Sequence, residues 1–116
     1  MSHRKHRGYR TQKVVAEWFA ARGWPFAESA GAGRQGSDVT GMPDCAVEVK
    51  ARRNFDPVAW VRQAEESADG RLPFVVMRGN GQGEKTVGDW IVIARLSDFT
   101  KLLNDAGYGS GDNPHE

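Results

Sequence analysis

The sequence predicts a single mixed α/β domain, a sheet with helices packed against it. Two observations carry that prediction. Apolar spacing switches along the chain from the helical period to strict alternation and back, with short glycine- and proline-marked runs between the segments. A length of 116 residues and a hydrophobic fraction of 39% then supply one core and leave no room for a second domain of ordinary size.

The first element is an amphipathic helix over 11–22. Val14, Val15, Trp18 and Phe19 recur at helical spacing, and Arg22-Gly23 is a natural stop. Residues 1–10 precede it as a basic, mobile segment. Residues 24–29 are short and aromatic enough for a strand, and 31–36 (GAGRQG) read as a flexible loop. A short strand over 37–40 and a turn at Gly41-Met42-Pro43 lead into 45–51, which alternates cleanly. Cys45, Val47, Val49 and Ala51 share one face, and Ala46, Glu48 and Lys50 share the other. Asp56-Pro57 pairs an N-cap residue with proline at the first helical position. It opens a helix through about Ala68 with Trp60, Val61, Ala64 and Ala68 inward. Residues 74–77 read as a buried strand, 79–83 as a mobile loop and 90–94 as another strand. Ser97 or Asp98 caps a last helix carrying Phe99, Leu102 and Leu103. The domain thus spans 11–106, and 107–116 reads as a flexible tail.

Composition excludes several classes. A single cysteine, Cys45, rules out an internal disulfide framework and a thiolate zinc site. No apolar run approaches the roughly 18 residues that span a bilayer, and no hydrophobic leader follows Met1, so the expectation is a cytoplasmic protein with no membrane partner. The net charge is only +1, but residues 2–13 carry His3, Arg4, Lys5, His6, Arg7, Arg10 and Lys13 without one acid. Lys50-Ala51-Arg52-Arg53 forms a second basic run, whereas acids gather at Glu65, Glu66 and Asp69 and in the tail. Such asymmetry suits a polyanion; a solvated charged terminus would give the same pattern.

A hairpin turning about Pro43 sets Asp38 nearly opposite Glu48, and Lys50 lies two residues on, on the same face. Opposed like charges destabilise a sheet by up to about 1 kcal/mol. A hard divalent cation turns that repulsive pair into a ligand pair, since Mg²⁺ takes one or two carboxylates together with water and substrate phosphate. Such an ion stabilises charge on a scissile phosphate, and Lys50 beside it could orient water and offset developing negative charge. A Glu-x-Lys pair taken alone is commonly just the solvated face of a strand.

Asp38 followed by Glu48-Val49-Lys50 after a short hairpin resembles the D-(x)n-(E/D)-x-K signature of the PD-(D/E)xK nuclease superfamily. It is most similar to archaeal-type Holliday-junction resolvases and their phage relatives. The opening helix ending in Gly23-Trp24, the glycine-rich loop, the basic run after Lys50, the next helix and the 74–77 strand fall in the same order, so the likeness covers most of 8–103. The resemblance implies a restriction-endonuclease-like α-β-β-β-α-β core, a mixed sheet flanked by helices. It also implies Mg²⁺, with Mn²⁺ as substitute, held by Asp38, Glu48 and the carbonyl of Val49. Its activity would be endonucleolytic cleavage of branched DNA in recombination by a homodimer, in the host cytoplasm if phage-encoded. A restriction-like or nicking nuclease and a non-catalytic DNA-binding module on the same fold are the alternatives.

Resolvases usually carry a glutamate where this chain has Gln12, which puts a second metal in doubt. Gln12 could still hold water at the site. Gln63 lies where several branches of the superfamily place a glutamine near the centre, or is a half-exposed helix residue. Ser29 corresponds loosely to a serine used near DNA. Lys13, Arg34, Arg52 and Arg53, with Arg7 and Arg10, are candidate phosphate contacts or plain surface charges. Pro43-Asp44 supplies a literal Pro-Asp; Asp44 lies only four residues before Glu48, too close to sit across from it, and stands as the lesser alternative to Asp38 as metal ligand. Glu17 and Cys45 read as surface and core residues.

Overall fold

The alternation over Cys45–Lys50 gives the sheet its central strand, and everything else in the fold packs around it. A computed structural model describes residues 3–31, 36–51 and 54–109, with side chains from Tyr9 onward. Its elements are α1 (His3–Ala20), β1 (Glu28–Ser29), β2 (Val39–Thr40), β3 (Cys45–Lys50), α2 (Pro57–Glu66), β4 (Leu72–Met77), a 3-10 segment (Glu84–Asp89), β5 (Ile91–Ile93) and α3 (Leu96–Asp105). The five strands form one mixed sheet in sequential order. β1, β2 and β3 are antiparallel, α2 crosses over to bring β4 parallel to β3, and β4 and β5 are antiparallel. No helix among the described residues is long and apolar enough to cross a membrane.

The two faces of β3 meet different helices. Cys45, Val47 and Val49 pack with Val15 and Ala16 of α1, and with Phe74, Val76 and Trp90. On the opposite face α2 lays Trp60 and Val61 against Val75 of β4. Asp56 caps α2 as its sequence predicts, its side chain accepting from the Ala59 amide at 3.3 Å, with Pro57 in the first turn. All four residues expected inward, Trp60, Val61, Ala64 and Ala68, are buried.

The β2–β3 turn depends on one glycine. Gly41 has φ +77°, and a Cβ there would lie 1.9 Å from the carbonyl oxygen of Phe26. Only a residue without a side chain lets the turn close onto the corner after α1.

Several boundaries differ from the sequence expectation. The backbone of α1 is helical from His3, so the basic segment continues the helix, and α1 ends at Ala20 rather than Arg22. Only Glu28 and Ser29 of the 24–29 stretch are strand. Trp24 instead stands edge-on to Phe19, with ring centroids 5.4 Å apart. The 79–83 loop is pinned by Gln82, which accepts from the Gly79 amide and donates to the Asp89 carbonyl. α3 starts at Leu96 without a side-chain cap, so neither Ser97 nor Asp98 caps it, and none of its residues is buried. The tail begins with an ordered helix stop, the Tyr108 amide donating to Leu103; residues 110–116 lie outside the described residues.

Candidate active site

β2 pairs Val39 with Val47, and Asp38, the bend residue just before it, lies beside the Glu48 carboxyl on β3. The Asp38 main chain is held on both sides, its amide donating to Val47 at 2.9 Å and its carbonyl accepting from Ala30 at 2.8 Å. Its carboxylate oxygen Oδ2 accepts from the Val49 amide at 2.8 Å. The N–H and C=O of one strand residue project to the same side, so the Val49 carbonyl is also turned toward β2 and Asp38.

Glu48 is not on a solvated face. It is 1% exposed, because α2 covers that side of the sheet. Among the described residues no N–H or hydroxyl donor reaches either of its carboxylate oxygens. The side chain in hydrogen-bonding reach is the Asp38 carboxylate, which can accept a hydrogen bond from a proton carried by Glu48. Burial, and then the charge of Asp38, push its carboxyl up to about 8, with Lys50 only partly offsetting them. Lys50, 8% exposed, donates from Nζ to Oε1 of Gln63 at 2.8 Å, so the glutamine of α2 holds the lysine in place. Asp38, Glu48, Lys50 and Gln63 thus come together, with the Val49 main chain at their edge.

The donor chemistry fits a hard cation. Two adjacent carboxyls, one of them buried, are oxygen donors of the kind a hard cation takes. Among the described residues no three His, Cys, Asp or Glu side chains cluster; a cation here would have to draw on Asp38, Glu48 and the Val49 carbonyl. That small set suits Mg²⁺, which keeps much of its water.

The other candidates scatter. Gln12 belongs to α1, on the opposite face of the sheet from Glu48; its Oε1 is buried without a partner. Ser29 pairs with Val39 in the edge strand, next to Asp38 in the ladder. Lys13 is exposed, and Arg10 is tied to Glu84 by an exposed ion pair at 3.0 Å. Arg34, Arg52 and Arg53 lie outside the described residues, as does the side chain of Arg7. Asp44 accepts from the indole of Trp24 at 2.9 Å, which holds its carboxyl below the usual range. Four residues along β3 separate it from Glu48 by roughly 13 Å. Glu17 is exposed. Cys45 is buried in the core, and burial raises its thiol to about 11.

Arg71 was not foreseen. Its guanidinium donates to the carbonyls of Ala68, Ser67 and Cys45 and lies 3.5 Å from the Ser37 hydroxyl. Ser37 itself is buried and 3.4 Å from the hydroxyl of Ser67. The residue preceding Asp38 is thereby clamped to the end of α2 and the start of β3. An isolated arginine after Asp69-Gly70 gives no sequence signal for this, because its main partners are main-chain carbonyls just after α2 and in β3. Comparison with protein-family models, curated proteins and solved structures returned no match for the chain.

Proposed function

We propose that the chain is a Mg²⁺-dependent DNA endonuclease with a restriction-endonuclease-like core, acting as a structure-selective Holliday-junction resolvase. The element order α-β-β-β-α-β and the mixed sheet are consistent with that core. The observation that carries the reading is Glu48: a buried carboxyl that no N–H or hydroxyl donor reaches among the described residues, set beside the Asp38 carboxylate and two residues before a buried lysine. Placing a buried carboxyl beside a second one forces one of them to keep its proton, a cost that a cation bound between them would remove.

On this reading Asp38, Glu48 and the Val49 carbonyl would hold the cation, with Mn²⁺ able to substitute. When bound, the ion supplies Lewis-acid stabilisation of charge on the scissile phosphate. Lys50 contributes a fixed positive charge to the same region, and Gln63 orients it. α2 excludes water from the Glu48 side. The exposed basic residues of α1 would contact phosphates without reading sequence.

The test is cleavage of a labelled four-way junction beside duplex, flap and single strand, in Mg²⁺, Mn²⁺ and chelator, for wild type, Asp38→Asn and Lys50→Ala. Metal-dependent paired cuts at the junction, lost in both variants, are expected. Cleavage of every substrate would favour a restriction-like or nicking nuclease. DNA binding unaffected by chelator, with no cleavage, would favour a non-catalytic binding module.

A further inference from the structure

A cavity of about 100 Å³ lies on the α1 side of the sheet, walled by Val15, Trp18 and Phe19 of α1, Val76 of β4, and Trp90 and Val92. Its two indoles are held in place. The Arg22 guanidinium stacks on Trp18, 3.3 Å from the ring centre, and donates to the Trp18 carbonyl at 3.0 Å. The Trp90 indole donates to the Gly83 carbonyl at 3.2 Å. Gly88 completes the lining, and a Cβ there would lie 2.9 Å from Cη2 of Trp18, so the glycine keeps this space open. Val15, Val76 and Trp90 are buried, whereas Gly88 and Val92 are exposed. The mouth therefore opens between the 3-10 segment and β5.

β5 is also the free edge of the sheet. Its outer side has no strand partner among the described residues, and Val92, its middle residue, is 58% exposed. Edge strands are commonly blunted by charge or proline, yet β5 reads Ile91-Val92-Ile93 and has neither. Val92 turns to the cavity side, while Ile91 and Ile93 turn to the α2 side. A strand laid along this edge would set the side chain opposite Val92 about 5 Å from it, at the cavity mouth. Two exposed charges bracket β5, Asp89 before it and Arg95 after it.

We propose that the β5 edge and this cavity form a docking site for an extended segment of a different protein, which adds to the sheet antiparallel to β5 and places one aliphatic side chain in the cavity. Main-chain bonds to a free edge give such a segment affinity, and pockets for alternate side chains give it specificity. An edge as short as β5 holds a segment weakly on its own, so the cavity supplies the anchor. Its volume is below the roughly 150 Å³ that takes benzene, which suits a branched aliphatic chain better than an aromatic ring. The residues on either side of the anchor turn to the α2 side, beside Ile91 and Ile93, and are apolar as well. An antiparallel segment brings its leading end to Arg95 and its trailing end to Asp89. It therefore carries an acid before the anchor and a base after it, at the same spacing as Arg95 and Asp89 from Val92. The proposal stands independently of the nuclease reading.

Amide NMR titration of the full chain, without metal or DNA, with the peptide acetyl-Glu-Thr-Val-Leu-Val-Thr-Lys-amide tests it. Saturable shifts are expected at the Ile91, Val92 and Ile93 amides and at the indole N–H groups of Trp18 and Trp90. Replacing the peptide's leucine by aspartate, or Val92→Lys in the protein, should weaken binding at least about tenfold. Val92 is exposed, so that variant should keep its far-UV circular dichroism. Phe26→Lys, at an exposed position just before β1 on the opposite edge of the sheet, should bind as wild type does. No saturable binding up to about 1 mM peptide overturns the proposal. So does equal binding by Val92→Lys, or shifts confined to α3. A wild type that sediments at twice the 12.8 kDa chain mass, with Val92→Lys at the single mass, also overturns it, because a second copy then holds the edge. Failure to cut DNA leaves this result untouched.

Discussion

The Lys50 ammonium donates to the side-chain oxygen of Gln63 at 2.8 Å, joining the central strand to the crossover helix. A hydrogen bond to a charged group contributes about 1.5–3 kcal/mol, less where one partner is exposed, as Gln63 is. Gln63→Leu is expected to lower stability in urea unfolding by about 1–2 kcal/mol. Metal-dependent cleavage should fall with it, by at least about tenfold. Gln63→Glu keeps an acceptor and should preserve most stability; an unchanged Gln63→Leu protein would show that Lys50 needs no holder.

Stability should depend on pH through Glu48. Burial and the Asp38 charge keep its proton bound in the folded state up to about pH 8, whereas the unfolded chain releases it near 4.5. The folded state thus binds the extra proton in between, and the contribution is complete below pH 4.5 and lost as pH rises through about 8. Urea midpoints of the metal-free protein should decline across that window. Glu48→Gln should flatten the profile, and Mg²⁺ at high pH should stabilise wild type more than this variant. A level wild-type profile would contradict a buried Glu48 that holds its proton beside Asp38.

Asp38→Asn should make the protein more stable and less active at once. An asparagine oxygen can still accept from the Val49 amide, which now donates at 2.8 Å. Removing the charge across from Glu48 relieves a repulsion of up to about 1 kcal/mol. Thermal melts at pH 8 without metal should therefore rise, while isothermal titration with Mg²⁺ should show weakened binding. A destabilised variant would mean that the carboxylate is structural.

Arg71→Ala should be costlier than an exposed arginine substitution. It leaves the carbonyls of Ala68, Ser67 and Cys45 without this donor, and Ser37 without its clamp. A loss of about 2–3 kcal/mol is expected, and Arg71→Lys should recover little, since an ammonium cannot reproduce the planar fork. Denaturant unfolding of both variants decides the matter.

The hairpin and its site were legible because period-two alternation fixes which side chains share a face, and a Gly-Pro turn fixes the register. Asp56-Pro57 announced α2 for the same local reason, a cap and a preset φ. What stayed hidden depends on distant partners. Trp24 reads as strand-forming, but its indole is spent on Asp44 across the corner. Arg71 serves main-chain acceptors that no pattern marks. Gln12 shares the stripe of Val15 and Phe19, and that stripe turns it toward the sheet face opposite Glu48. α3 shows an apolar stripe that ordinarily means packing within the chain, and the sequence cannot tell that the stripe is left facing outward.

The contact between Gly41 and Phe26 has a further effect on how the chain reaches this state. A hairpin slipped by one residue would bring Thr40 or Met42 into the slot against the Phe26 carbonyl, where any Cβ collides. The same slip of β2 would turn Asp38 toward the apolar layer under α1, away from Glu48, which the β3–β4 ladder holds on the α2 side. The turn therefore acts as a gauge of register: the clash at the corner raises the energy of a slipped hairpin and so favours the pairing that keeps Asp38 beside Glu48.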